Sequence, residues 1–107
     1  MAAAYNGGDF GQAFALLQPL AEQGHAEAQT LLGDLYLHGR GVEGDAAAAV
    51  TWYSAARQQG YAPAMRALAK CYEVGLGVPR DMTAAERLYA DAARQELFHP
   101  GPTDAPQ

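Results

Sequence analysis

The chain has 107 residues, room for one small domain, and half of it is apolar. Much of that half is alanine, 24 residues, with no isoleucine and four valines, a composition that favours helix over sheet. The net charge of −5 without a basic cluster argues against nucleic acid or an anionic membrane surface as partner, and a single cysteine, Cys71, excludes an intramolecular disulfide.

Residues 1–8 are alanine-rich and end in Gly7 and Gly8, which predicts a short lead-in. They hold no basic segment followed by an apolar run, so no signal peptide is expected, and no window is long enough to span a bilayer. The chain is expected to be cytoplasmic if Met1 is the native start, and periplasmic or secreted if a leader has been removed. Asp9 has the chemistry of an N-cap, with Gln12 three positions on. Ala13, Leu16, Leu17 and Leu20 follow at helical spacing, with Pro19 expected to kink the last turn before Gly24 stops the helix. A second helix is predicted from about Ala26 to His38, burying Ala28, Leu31, Leu32, Leu35 and Tyr36. Gly33, in its middle, predicts close approach of a neighbouring helix.

Gly39 to Val42 reads as a turn, with Gly39 as a left-handed C-cap and Asp45 as the next N-cap. The third helix carries Ala49, Trp52, Tyr53 and Ala56, with Trp52 expected at the centre of the core. A fourth starts near Ala62, with Pro63 in its first turn, and buries Ala64, Ala67, Leu68, Cys71 and Tyr72. Gly75 to Arg80 repeats the turn and Asp81 the cap. The fifth helix buries Ala85, Leu88, Tyr89 and Ala92 and ends near Phe98. Residues 99–107 hold three prolines and a glycine and are expected to be a disordered tail.

This succession is said twice. Displaced by 36 residues, Leu32, Tyr36, Gly39, Gly41, Val42, Asp45 and Tyr53 fall on Leu68, Tyr72, Gly75, Gly77, Val78, Asp81 and Tyr89. A period of this length marks stacked helix–turn–helix units, none of which can bury its apolar face alone. The expected fold is therefore an all-α solenoid over residues 9–98. It comprises a half repeat at 9–23, a repeat at 24–59 and a repeat at 60–95.

The residues Gly24, Ala26, Ala28, Leu32, Gly33, Tyr36, Gly39, Gly41, Val42, Asp45, Ala49, Trp52, Tyr53, Ala56 and Gly60 closely resemble the Sel-one-like repeat (SLR) family, a cousin of the tetratricopeptide repeats. In the second copy Ala69 replaces the helix glycine and Leu88 the tryptophan. The resemblance implies antiparallel helix pairs in a right-handed superhelix, non-enzymatic adaptor roles in protein complexes, and leading helices that line a concave groove. Bacterial members of the family are often exported.

No chemistry-bearing constellation emerges. The two Gly-x-Gly pairs follow helices rather than strands, which makes them turns and not phosphate loops. His25, His38 and His99 share no ligand spacing, Ser54 is the only serine, and Cys71 stands where the first copy has Leu35. No catalysis, metal or cofactor is expected, and the paired cysteines of lactam-hydrolysing relatives are absent. The candidate partner surface is the outer stripe of the leading helices: Glu27, Thr30, Asp34 and Leu37 on the first, and Pro63, Arg66, Lys70 and Glu73 on the second. It would be acidic at one end and basic at the other, the alternative being an ordinary solvated face. The expected function is a scaffold that binds a partner protein or peptide there. A self-assembling module, dimeric or stacked end to end, is the second expectation. A toxin-neutralising immunity protein is a third, with no residue-level support.

Overall fold

The computed structural model describes residues 9–98, with the backbone alone at Phe98; the lead-in expected at 1–8 and the tail at 99–107 lie outside the described residues. Among the described residues there are five α-helices and no strand: α1 Phe10–Glu22, α2 Ala26–His38, α3 Ala46–Arg57, α4 Ala62–Val74 and α5 Met82–Phe98. α1, α3 and α5 start at residues 10, 46 and 82, and α2 and α4 at 26 and 62, each set stepping by the sequence period. Three aspartates set the first series. Oδ1 of Asp9, Asp45 and Asp81 accepts from the backbone N–H three residues on, at 3.0, 3.1 and 3.1 Å. Each cap satisfies a donor that the first helical turn leaves without a partner, worth about 1 kcal/mol.

The turns repeat as closely as the caps. Gly39 and Gly75 close α2 and α4 in the left-handed conformation, with φ of +64° and +80°. Two residues later the reason is different. A Cβ on Gly41 would stand 2.2 Å from the carbonyl oxygen of Phe10, and one on Gly77 2.5 Å from that of Ala46. Each turn therefore rests directly on the first turn of the trailing helix of the unit before it. The first glycine of Gly-x-Gly ends a helix, and the second lets backbone meet backbone.

Each helix packs chiefly against its neighbours in the chain. Ala13, Leu17 and Ala21 of α1 join Ala28, Leu32 and Leu35 of α2 in one apolar cluster. Tyr53 of α3 joins Met65, Leu68 and Cys71 of α4 and Ala85, Leu88 and Ala92 of α5 in another. The half-buried ring of Tyr36 packs against both. Alanine at so many contact positions keeps the helices close, and burial of the larger side chains supplies the driving force.

Three core assignments differ from the sequence expectation. Tyr53, 1% exposed, is the large side chain at the centre; Trp52 is half-buried and reaches back onto the α1–α2 cluster. Leu16 and Tyr89 stand 41% and 38% exposed, because α1 and α5 each have a described helix on one side only. Gly33 does what its position suggests: a Cβ there would lie 2.7 Å from the Tyr53 ring. α1 runs through Pro19 to Glu22 as one helix, and the carbonyl that loses its donor belongs to Ala15, on the exposed face where water can serve it.

Candidate partner-binding surfaces

The outer stripe of α2 is only partly open. Glu27 is exposed. Thr30, expected on the surface, is 8% exposed, and its hydroxyl donates to the Ala26 carbonyl at 2.9 Å, so its short side chain is spent on its own helix. Asp34 is half-buried and accepts a hydrogen bond from the Tyr53 hydroxyl. Burial raises its carboxyl above the ordinary range, against the lowering effects of that hydrogen bond and of the His38 charge. Leu37 packs partly against the α3–α5 cluster.

On α4 the pattern differs. Pro63 is half-buried in the first turn. Arg66 pairs with Glu96 of α5, with both side chains about half-exposed, an arrangement worth little in water. Lys70 is exposed and makes no ion pair among the described residues. Glu73 accepts from the Tyr89 hydroxyl at 3.0 Å, and its backbone carbonyl accepts from Arg80 Nε at 3.1 Å. The charge of Glu27 acts on Tyr61 at the head of α4, and that of Asp34 on Cys71, so the two leading helices lie close enough to share a field.

Cys71 is 1% exposed, and burial, followed by the Asp34 charge, pushes its thiol up, so it packs as a small apolar group and stays protonated at neutral pH. Among the described residues, no three of His, Cys, Asp and Glu converge as metal ligands would, and no helix is long and apolar enough to cross a membrane.

Two features lie outside the sequence-based set. The buried Gln29 donates through Nε2 to the Ala21 carbonyl at 3.1 Å, and Gln59 Nε2 donates both to Gln29 Oε1 at 3.1 Å and to the Gly24 carbonyl at 2.7 Å. This amide network ties the ends of α1 and α3 to α2. The second is a hollow of about 300 Å³ between α3 and α5, floored by Leu68 and Tyr72 of α4 and rimmed by Arg57 and Arg87. Its one sequence signal is the substitution of Leu88 for the tryptophan of the first copy.

The Sel1 repeat model matches residues 2–25, 26–61 and 62–97. The fold is similar to that of a Sel1 repeat protein from Oxalobacter formigenes, with a TM-score of 0.79 and 34% identity over 80% of this chain and 25% of that one. It is also similar to a protective antigen of uropathogenic Escherichia coli displaying an SLR fold, with a TM-score of 0.77 and 35% identity over 79% of this chain and 18% of that one. The chain thus spans a quarter or less of the length of either protein. No curated protein sequence matches it significantly. Sel1 repeats generally mediate protein–protein interactions, and proteins built from them are typically non-catalytic scaffolds. With three consecutive repeat matches and the same helical solenoid in both neighbours, the chain belongs to the Sel1 repeat family.

Proposed function

We propose that the chain binds an extended peptide segment of a partner protein along the outer faces of α2 and α4. The observation that carries this is the change of charge between two adjacent, equivalent helices: Glu27 and Asp34 on α2, Arg66 and Lys70 on α4. Leu37, Pro63 and Glu73 complete the surface, and Thr30, being buried, supports it from beneath. A rigid helical face of this kind binds with little reorganisation, and its opposed charges set the direction in which a peptide lies. A peptide with basic residues toward α2 and acidic residues toward α4 fits it.

Panning a random peptide library on the folded chain tests this. Selected peptides should carry a basic end and an acidic end, and the double variant Glu27→Lys with Lys70→Glu should weaken them by about tenfold or more. Both side chains are exposed, so the fold should survive. Peptides indifferent to the double variant would move the binding site elsewhere.

A second reading, self-association, is favoured by α5. Met82, Tyr89 and Leu97 fall on one side of that helix and are 38%, 38% and 75% exposed. A second copy stacking there would bury them. Light scattering should then show a dimer that Leu97→Glu dissociates, and a parent chain that stays monomeric at high concentration would remove this reading.

A further inference from the structure

We propose that the hollow between α3 and α5 is a second docking site, on a different face from the leading-helix surface, and that it takes an aromatic side chain flanked by acidic residues on a partner polypeptide. The repeat supplies its own template. In the first interval Trp52 reaches from α3 onto the cluster that contains Leu32, and Tyr36 packs on the same cluster. One period later Leu32 becomes Leu68 and Tyr36 becomes Tyr72, so the apolar floor is kept. Trp52 becomes Leu88, so the group that would fill the trough is shortened. The hollow of about 300 Å³ opens beside these three residues, Leu68, Tyr72 and Leu88. Its volume falls at the small end of the range for ligand sites, about 300–1,000 Å³, a size suited to one aromatic ring.

The rim is where the two intervals part company chemically. Arg57 and Arg87 border the hollow; their counterparts one period earlier are Ala21 and Thr51, without charge. Neither arginine makes an ion pair among the described residues. Asp91 also lines the hollow, and its carboxylate is engaged by Arg94. In a chain of net charge −5, two guanidinium groups thus face a concave, part-apolar site with their charge uncompensated locally. Planar guanidinium groups bind carboxylates in paired hydrogen bonds and stack on aromatic faces, and an aromatic anchor in a desolvated pocket is the commonest form of binding hot spot. An aromatic ring in the trough with a carboxylate on either side meets all three features: the floor, the missing filler and the rim.

The proposal rests on the chain being a protein-binding module but not on the face of α2 and α4. The test uses the whole chain, ¹⁵N-labelled, and the capped peptide Gly-Glu-Trp-Glu-Gly, followed by backbone NMR. Saturable shifts are expected at Arg57, Tyr72 and Leu88. Replacing both glutamates of the peptide by lysine, or its tryptophan by alanine, should weaken binding by about tenfold or more. L88W should close the hollow with the chain's own side chain, abolish the shifts and raise the melting temperature. If that variant fails to fold, R57Q with R87Q, both at exposed positions, should lower the affinity by a similar factor with the spectrum otherwise unchanged. Glu27→Lys with Lys70→Glu should leave this binding intact, which separates failure here from failure of the leading-helix surface. Equal binding of the lysine peptide, retained binding by folded L88W, or no saturable shift at millimolar peptide would overturn the proposal.

Discussion

Asp34 shows what it costs to pack a carboxyl against a buried ring. Its carboxylate sits beside the buried Tyr53 ring and accepts that ring's hydroxyl. Burial raises its pKa from 3.8, outweighing the Tyr53 hydrogen bond and the His38 charge. A carboxyl that holds its proton more tightly in the folded chain stabilises the fold fully below its unfolded value. That contribution is lost as the pH rises through the higher, folded value. At neutral pH the ionised group therefore weakens the fold. Asparagine keeps a carbonyl oxygen for the Tyr53 hydroxyl and carries no charge. Asp34→Asn should unfold at higher denaturant than the parent at neutral pH, and the gain should fade at acid pH, as the parent carboxyl regains its proton. Charges common to both chains cancel in the comparison. A variant less stable than the parent at both pH values would mean that the charged hydrogen bond to Tyr53 outweighs the burial of Asp34.

At the scale of the element, the amphipathic spacing was legible and the number of neighbours was not. Ala13, Leu16, Leu17 and Leu20 in α1 obey the same rule as Ala49, Trp52, Tyr53 and Ala56 in α3. Yet α3 lies between two helices and α1, among the described residues, packs against one. Adjacent aromatics in α3 therefore serve different clusters, Trp52 the α1–α2 side and Tyr53 the α4–α5 side, whereas Leu16 faces outward. Periodicity reports which side of a helix is apolar; it cannot report how many partners cover that side. The left-handed caps at Gly39 and Gly75 and the close approach at Gly33 were legible because their causes are local or strictly repeated; that Gly41 and Gly77 meet the backbone of the preceding trailing helix was not, since that contact depends on how the units stack. Of the candidate surface, the charged positions Glu27 and Lys70 could be placed from sequence because long charged chains seldom bury. Thr30 could not, since a hydroxyl that bonds its own helix is as content inside as outside. The hollow between α3 and α5 was half-written in the exchange of Trp52 for Leu88. That Arg57 and Arg87 border it depends on two helices meeting across a third.

For the whole molecule, the question is whether stacked units unfold as one. In a repeat stack each unit contacts only its neighbours, so cooperativity depends on what crosses the boundary between them. Several contacts cross it here: Ala49 and Tyr53 of α3 inside the cluster of α4 and α5, Leu37 of α2 against that cluster, the glycine turns that rest on the preceding trailing helix, and the side chain of Tyr36. That ring meets Phe14 edge-on, with centroids 5.6 Å apart and planes at 77°, and packs against both apolar clusters. Its repeat counterpart Tyr72 packs, among the described residues, against the α3–α5 cluster alone. Truncating either ring should cost about 3 kcal/mol, the low end for a large aromatic because both are half-buried. The difference should appear in native-state hydrogen exchange. In the parent, the slowest amides of α2 and α4 should open with one common free energy, the mark of a single cooperative unit. Tyr72→Ala should lower that value for both helices together. Tyr36→Ala should split it, with α1 and α2 opening before α4 and α5, because that ring packs on both clusters and its loss leaves only Leu37 of α2 and Ala49 and Tyr53 of α3, with the glycine turn, to hold them together. If α2 and α4 still open together in Tyr36→Ala, the units are coupled through Leu37, Ala49 and Tyr53 and through the turn at Gly77, and the aromatic ring is a filler between clusters that would hold together without it.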